Sequence, residues 1–352
     1  MPNPRDARVT AASLYFLPVE TRVPLKFGPE TLTQVTCARA AVEVAASGGE
    51  TAVGWGETPL SVQWVWPSDR LGYEERHRSL KSFCIDLAAE WSGYEASGHP
   101  LEIGHGFQEE GLKKALARHN RGRNEQLPHL AALVCCSPFD IALHDAYGKL
   151  HDLPSYETYR SGFMNRDLGA YLEPAAPGVD FAGTWPADFL RPRRNRLPAW
   201  HLVGGLDPLD RSELTGDEPD DGYPVLLRDW IRTDGLTCLK IKLRGNDEEW
   251  DYQRLRKVGE IAVDCGADWL SADFNCTVTE PEYVNVILDR LMVEHPRIYG
   301  MVLYVEQPFP YDLEENPIDV HGVAARKPLF MDESAHDWRL GRRGRELGWA
   351  GV

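Results

Sequence analysis

The chain has 352 residues, 43% of them hydrophobic, which is enough to bury a sizeable core and usual for two domains of unequal length. Its formal net charge of −16 argues against a nucleic-acid partner, because no basic stripe is available to neutralise phosphates. The longest apolar runs are far shorter than the ~20 residues of a membrane span, and residues 1–8 do not resemble a secretory signal. The sequence therefore predicts a soluble, cytoplasmic protein without a membrane partner.

The first part of the chain, residues 1–172, is predicted to be an α+β domain. Polar and apolar residues alternate over residues 9–17 and 33–44, which is typical of antiparallel strands. The glycines of residues 54–57 are typical of a turn, so the simplest interpretation is a three-stranded meander. Over residues 73–147 apolar residues recur at intervals of three and four, which indicates helices.

The second part, residues 201–352, is predicted to be a parallel sheet, because short β-rich runs alternate there with helical stretches. Residues 173–200 are rich in Pro and Arg and are predicted to be a linker or an insertion. The charged ends of the runs, Lys242, Asp273, Glu306 and Asp332, follow one another at steps of 31, 33 and 26 residues. A (β/α)₈ barrel has roughly 31 residues per unit. The predicted fold class is therefore α/β, with an α+β domain followed by an incomplete (β/α) TIM-type barrel.

Alternation along these strands brings charged side chains together. Residues two apart on a strand share a direction, so Lys240 and Lys242 point the same way at the end where barrel enzymes carry their catalytic groups. The alternative is a pair of surface lysines. By the same argument Asp273, Glu306 and Asp332 converge at successive strand ends. Close carboxylates repel each other unless they share a hard cation, so the pattern predicts a Mg²⁺ site. Any one of these acids alone would more often be a salt-bridge partner or a helix cap.

Four short strings carry a family resemblance: Lys240-Ile241-Lys242, Asp273-Phe274-Asn275, Val305-Glu306-Gln307-Pro308 and Asp332-Glu333-Ser334. In order and spacing they resemble the K-x-K, D-x-N, E-Q-P and D-E-S signatures of the enolase superfamily, in its mandelate racemase/muconate lactonizing enzyme family and muconate lactonizing enzyme-like subgroup. Weaker similarity at residues 54–57 and 137–142 extends to that family's capping domain. The resemblance implies an N-terminal capping domain followed by a (β/α)₇β-type barrel.

The resemblance also implies an enzyme, an isomerase or a lyase, that removes a proton from the carbon next to a carboxylate and forms a metal-stabilised enediolate. Lys242 would be the base, and Asp273, Glu306 and Asp332 would hold Mg²⁺, with Mn²⁺ as an alternative. Lys240 would add positive charge and a hydrogen bond to the carboxylate of a small substrate. Racemases and epimerases, cycloisomerases, and dehydratases or synthases share these motifs. Two other interpretations stay open: a non-catalytic metal-binding protein with this fold, and an inactive fragment of a longer enzyme.

Several neighbouring residues have predicted supporting roles. Asn275 is expected to orient a ligand or a water rather than to bind the metal itself. Glu333 competes with Asp332 for the third ligand position, but strand alternation and the family pattern favour Asp332, with Glu333 facing away. Two loops of the capping domain are expected to select the substrate, with Lys26, Phe27, Trp64 and Trp66 as candidate contacts. The two tryptophans could equally pack against the barrel rim.

The resemblance includes one departure. The family carries a second lysine at the end of the sixth barrel strand, and in this sequence that strand begins near Val352. Counting units leads us to expect roughly 90 to 100 further residues in the natural protein, with that lysine among them. An open barrel exposes strand edges that need missing segments or a partner, and a homo-oligomer is expected.

Overall fold

The computed structural model describes residues 3–27, 30–174 and 176–352, and the chain divides into two compact units. The first unit comprises Met1–Glu20 and Gln34–Arg193, and the second comprises Thr21–Thr33 and Arg194–Val352. The segment Thr21–Thr33, which the sequence alone suggests for the first domain, thus groups with the second unit. Among the described residues, no helix is both long enough and apolar enough to cross a bilayer.

A four-stranded sheet with the strand order β3-β2-β1-β4 lies mainly in the first unit. The β2/β3 and β1/β4 pairs are antiparallel, and the short strand β4 is a fourth strand beyond the predicted three-stranded meander. Alternate residues of β2, among them Ala38, Ala40 and Val42, are fully buried and form one face of the core. The strands are β1 (Ala7–Phe27), β2 (Glu30–Ala46), β3 (Thr51–Pro59) and β4 (Ser97–Gly98).

The predicted turn at residues 54–57 is wrong, because these residues lie inside β3. A Cβ atom at Gly54 would collide with the backbone of Ala142 and Ala146, and one at Gly56 would collide with Pro138. Glycine is required at both positions because β3 packs directly against the backbone of the helix behind it. Long-range packing, rather than chain reversal, therefore explains these two glycines.

Helices cover one face of this sheet and complete the core of the first unit. The longest, α5, is buried over most of its length and carries the adjacent thiols of Cys135 and Cys136, both buried and free. A π-helical turn, Phe107–Leu112, joins α3 to α4. The helices are α1 (Val62–Val65), α2 (Tyr73–Ser92), α3 (Pro100–Gly106), α4 (Lys113–His119), α5 (His129–Leu150) and α6 (Pro186–Phe189).

A buried histidine caps α3. The Nδ1 atom of His99 accepts a hydrogen bond from the backbone N–H of Leu101 (3.2 Å), and its Nε2 atom is 3.0 Å from the Thr158 hydroxyl. His99 has no exposed surface, and this burial lowers its pKa to about 3, with His144 and His151 adding to the shift. The imidazole is therefore neutral in the folded protein at neutral pH.

Acid is expected to destabilise the protein through His99. Its pKa in the folded protein lies below the ordinary value of ~6.5, so the unfolded chain binds the proton more tightly. The contribution of His99 to stability is complete above about pH 6.5 and is lost as the pH falls toward about 3, by up to about 1.4 kcal/mol per pH unit. Urea unfolding between about pH 4 and about pH 7 measures this slope.

The matched variant is His99→Asn, which keeps a capping side chain but cannot be protonated. Its free energy of unfolding should depend less steeply on pH than that of the parent protein. Asp140, whose pKa burial raises, contributes the opposite pH dependence, but it is present in both proteins and cancels from the difference. Equal slopes for the two proteins would contradict the assignment to His99.

The second unit is built on a five-stranded parallel sheet with the strand order β5-β6-β7-β8-β9, as the repeating pattern predicts. A parallel bridge between Phe330 and Gly351 continues the pairing beyond β9. The strands are β5 (Trp200–Val203), β6 (Cys238–Lys242), β7 (Trp269–Asp273), β8 (Val302–Glu306) and β9 (Leu329–Phe330). The helices are α7 (Leu227–Asp234), α8 (Glu248–Cys265), α9 (Pro281–Glu294), α10 (Pro296–Met301), α11 (His321–Ala324) and α12 (Leu340–Leu347).

The two faces of this sheet differ in chemistry. Leu239 and Ile241 of β6 are fully buried in an apolar core that also contains Leu255 and Val258 of α8. Removal of this apolar surface from water is the main force that holds the helices to the sheet. The opposite face of β6 carries Lys240 and Lys242, at the alternate positions. The sheet thus directs its charged residues away from its apolar core.

Candidate active site

Charged residues line up across the carboxyl ends of three neighbouring strands. Lys242 of β6 is the register partner of Asp273 of β7, and Asp273 is the partner of Glu306 of β8. Glu306 is next to Phe330 of β9, so Asp332, two residues further, continues the same row. Lys242, Asp273 and Glu306 are buried, whereas Asp332 is exposed. The sheet register therefore brings the predicted base and the predicted ligands to one edge.

Two ammonium groups lie between the carboxylates. Nζ of Lys240 is 3.0 Å from Oδ2 of Asp273 and also contacts Oε1 of Glu306. Nζ of Lys242 contacts the same Oδ2 of Asp273. Each lysine thus compensates carboxylate charge that would otherwise be buried without a partner, which is costly in a protein interior.

Burial and repulsion from neighbouring acids raise the pKa values of Glu306 and Asp332. Burial and the charge of Asp273 raise the pKa of Glu306, although Lys240 opposes the shift. Asp332 is exposed as a residue, yet protein atoms crowd its carboxylate enough that partial desolvation raises its pKa. For Lys240, burial lowers the pKa, but the carboxylates of Asp273 and Glu306 outweigh burial and raise it above its ordinary value. Lys240 is therefore a permanent positive charge at neutral pH.

The donor set fits a hard divalent cation. Asp273 and Glu306 are aligned in register, and Asp332 lies close enough to hydrogen-bond with Glu306. The side-chain oxygen of Asn275 is buried and has no hydrogen-bond partner among the described residues. Within residues 3–27, 30–174 and 176–352, however, no group of three or more His, Cys, Asp or Glu side chains is arranged to hold a metal. Lysine ammonium groups contact two of these carboxylates, those of Asp273 and Glu306.

The backbone is unusual where β7 and β8 end. Asn275, Cys276 and Gln307 have positive φ angles of 52°, 62° and 31°. Asparagine tolerates this left-handed region, but cysteine and glutamine adopt it rarely. The N–H of Asn275 donates to Oδ1 of Asp273 at 2.9 Å, which holds that carboxylate in place. Such conformations persist only where the surroundings impose them, and they concentrate at functional sites.

Glu333 and Cys276 form a second contact beside the row. Glu333 is buried, and its carboxylate accepts a hydrogen bond from the thiol of Cys276. Burial, together with the charge of Glu333, raises the pKa of this thiol. Glu333 therefore belongs to the surroundings of Asp332, and its role in the site stays a prediction. Sequence analysis missed Cys276, although its position directly after the D-x-N string could have indicated it.

An aromatic layer lies on the same face, one step below the charged row. The rings of Tyr304 and Phe330, two residues before Glu306 and Asp332, have centroids 4.8 Å apart. Trp200 of β5 joins them, with its ring centroid 5.7 Å from that of Tyr304. The three rings form the layer of side chains directly beneath the charged row. Sequence analysis did not identify Trp200, because its place depends on the pairing of β5 with β6.

The four candidate substrate contacts have different surroundings. The backbone oxygen of Lys26 accepts a hydrogen bond from the N–H of Gly205 (2.9 Å) within the second unit. The side chain of Phe27 lies outside the described residues. Trp64 is half-buried against the core of the first unit. Trp66 is inside that core, 2% exposed, with its indole N–H donating to Glu125 at 2.9 Å, so this ring has a structural role in the first unit.

A cavity of about 570 Å³ lies at the carboxyl end of β5, within the second unit. Leu202, which lines it, is the register partner of Lys240 on the neighbouring strand. Arg22 also lines the cavity, and its guanidinium is held by both oxygens of Asp221 at 2.6 and 2.7 Å. A cavity of this size can hold a small organic molecule.

Neither a family model nor a curated protein matches the sequence. Solved structures do match the fold. N-succinyl Arg/Lys racemase from Bacillus cereus is 16% identical, with a TM-score of 0.58 over 97% of this chain and 70% of the other. Muconate lactonizing enzyme from Mycobacterium smegmatis, solved with muconolactone, is 18% identical, with a TM-score of 0.57 over 97% and 71%.

A third similar structure is dipeptide epimerase from Cytophaga hutchinsonii, solved with Mg and the dipeptide D-Ala-L-Val. It is 16% identical, with a TM-score of 0.55 over 98% of this chain and 74% of the other. These similar structures are all enolase-superfamily enzymes. The chain therefore has the enolase-superfamily fold, with an N-terminal antiparallel sheet and a TIM-type parallel sheet, and the predicted fold class is confirmed.

Proposed function

We propose that this protein is an enzyme, an isomerase or a lyase, that removes a proton from the carbon next to a carboxylate of a small substrate. The observation that carries this proposal is the row of Lys242, Asp273 and Glu306, aligned in register at the carboxyl ends of three parallel strands. In barrel folds this end of the strands is where catalytic residues lie. The general reaction is also that of the racemases and epimerases that share the fold.

The two lysines have different roles in this proposal. Lys240 contacts Asp273 and Glu306 and keeps its positive charge, so it is suited to bind and orient a substrate carboxylate. Lys242 is more deeply buried at the end of its strand and is the general base, whose amine takes the α-proton when it is in its neutral form. Removal of water from the site strengthens the attraction between Lys240 and a bound carboxylate.

The proposed cofactor is Mg²⁺, held by Asp273, Glu306 and Asp332, with Asn275 supporting Asp273. When bound, Mg²⁺ would supply positive charge that stabilises the enediolate formed as the proton leaves. Lys240 and Lys242 would then exchange their contacts with the carboxylates for contacts with substrate. Mg in the dipeptide epimerase from Cytophaga hutchinsonii supports the choice of cation.

The proposal is tested by hydrogen exchange at the α-carbon. Dipeptides, N-succinyl amino acids and mandelate are incubated with the protein and Mg²⁺ in deuterated water, and loss of the α-proton signal is followed by NMR. We expect at least one of these carboxylates to exchange its α-proton for deuterium, and this exchange to stop when EDTA removes the cation. Mg²⁺ binding without exchange of any carboxylate would favour the non-catalytic metal-binding protein instead.

Asp273→Asn tests the ligand assignment, because an amide is a weaker ligand for Mg²⁺ than a carboxylate. We expect Mg²⁺ affinity, measured by calorimetry, to fall by at least about 100-fold, more than is typical for residues outside the metal's own ligands. The matched control is Asp268→Asn. Asp268 is an exposed acid directly before β7, at the opposite end of that strand from Asp273. Equal affinities in the two variants would remove Asp273 from the metal site.

A further inference from the structure

Gln307 is a fully buried polar residue that directly follows Glu306 at the end of β8. Its side-chain oxygen accepts hydrogen bonds from the backbone N–H of Asp332 at 2.9 Å and of Ser334 at 3.1 Å. Its side-chain nitrogen donates to the Phe309 carbonyl at 3.0 Å and to the Ser334 hydroxyl at 2.8 Å. Both ends of this amide are therefore engaged, and the side chain has one available orientation.

The backbone of Gln307 extends this network to the strands on either side. Its N–H donates to the Phe330 carbonyl of β9 at 3.0 Å, and its carbonyl accepts from the N–H of Cys276, after β7, at 2.8 Å. Its φ angle of 31° is strained for a residue with a side chain. One residue thus links the ends of β7 and β8, where Asp273 and Glu306 lie, with the end of β9, which Asp332 follows.

The contact with Asp332 matters most, because β9 ends at Phe330 and Asp332 lies beyond regular strand pairing. Its backbone N–H is held by the Gln307 oxygen rather than by a neighbouring strand. The position of the Asp332 carboxylate relative to Glu306 therefore depends on the side chain of Gln307, the residue that directly follows Glu306. Movement of Asp332 by even a fraction of an ångström would weaken a shared cation site, since Mg²⁺ requires near-ideal geometry.

We infer that Gln307 is a positioning residue that sets Asp332 against Glu306 for cation binding, an inference that rests on the proposed function of this site. The oxygen of Gln307 performs this role, and its nitrogen keeps the amide from turning. Residues that support metal ligands without touching the metal commonly change metal affinity by about 10- to 100-fold when they are replaced. A merely structural residue would change stability and leave the affinity of the folded protein unchanged.

Three variants of the full chain separate these roles. Gln307→Met fills the same space but removes both hydrogen-bonding ends. Gln307→Glu keeps an oxygen that can accept from Asp332 and Ser334. Ser334→Ala removes the hydroxyl that contacts the Gln307 nitrogen and leaves the bond to the Asp332 N–H in place. If Gln307→Met fails to fold, Gln307→Asn, whose shorter amide cannot span the same distance, replaces it.

The measurements are Mg²⁺ affinity by calorimetry and amide hydrogen exchange at Asp332 and Ser334 by NMR. We expect Gln307→Met to bind Mg²⁺ about 10- to 100-fold more weakly, with Ser334→Ala and Gln307→Glu much closer to the parent protein. The amide of Asp332 should exchange faster in Gln307→Met only. Parental affinity in Gln307→Met, or equal losses in Gln307→Met and Gln307→Glu, would overturn the inference.

The amide measurement distinguishes failure of this inference from failure of the proposed function. If the parent protein binds no Mg²⁺, the proposed function fails, and amide exchange without the cation still tests the positioning of Asp332. Faster exchange at Asp332 in Gln307→Met, restored in Gln307→Glu, would support positioning by the Gln307 oxygen. Unchanged exchange at Asp332 in Gln307→Met would overturn it, whatever the cation does.

Discussion

Replacement of Lys242 by methionine is expected to slow α-proton exchange by about 10²- to 10⁴-fold, the usual contribution of a general base. Methionine preserves much of the length and the apolar stem of lysine but has no amine to accept the proton. Mg²⁺ binding should be retained, because removal of the ammonium group frees Asp273 from one competing contact. Exchange rates by NMR and cation affinity by calorimetry, measured on the same preparation, test both parts.

Two lysine variants serve as controls for Lys242→Met. Lys240→Met should act mainly by raising KM, since Lys240 is proposed to bind the substrate carboxylate rather than to accept its proton. Lys257→Met should have no effect, because Lys257 is exposed on α8 and lies 3.9 Å from its partner Glu213. Parental exchange rates in Lys242→Met would mean that another group is the base.

The sequence was sufficient to predict the charged row because its periodicity is local. Within a strand, alternation fixes which side chains share a face. The charges of Lys240 and Lys242 then indicate the polar face, so the opposite face is the apolar one. The regular steps from Lys242 to Asp273 to Glu306 indicate repeated βα units, whose strand ends meet at one edge. The observed register, which pairs Lys242 with Asp273 and Asp273 with Glu306, agrees with these two patterns.

Features that depend on distant parts of the chain could not be predicted in the same way. Gly54 resembles a turn glycine in the sequence, and only the approach of α5, about 90 residues later, explains it. Trp66 is buried in the core of the first unit, and its indole N–H donates to Glu125, 59 residues away in sequence. The role of Gln307 depends on contacts 25 and 27 residues along the chain, with Asp332 and Ser334. None of these partners has a periodic or local signal.

A buried acid, Asp251, holds the loop after β6. Replacement of Asp251 by alanine is expected to lower the free energy of unfolding by about 3 kcal/mol or more. The carboxylate accepts hydrogen bonds from the N–H groups of Arg244 and Gly245, both at 2.8 Å, and from the Tyr283 hydroxyl at 2.7 Å. Asp251 has no exposed surface, so alanine would leave these donors without an acceptor in a site that water does not reach. Urea unfolding measures the loss.

Two controls identify the cause of that loss. Asp247→Ala removes the exposed acid that caps α8, the helix that contains Asp251, through the N–H of Trp250 (3.1 Å). This change should lower the free energy of unfolding by only about 1 kcal/mol. Tyr283→Phe removes one donor and leaves both backbone bonds to Asp251, so its effect should also be near 1 kcal/mol. Arg244 and Gly245 follow Lys242 by two and three residues, so Asp251→Ala should also slow α-proton exchange in the protein that remains folded. A loss in Asp251→Ala no larger than that in Asp247→Ala would mean that the loop does not need this buried acceptor, and the coupling to Lys242 would fail with it.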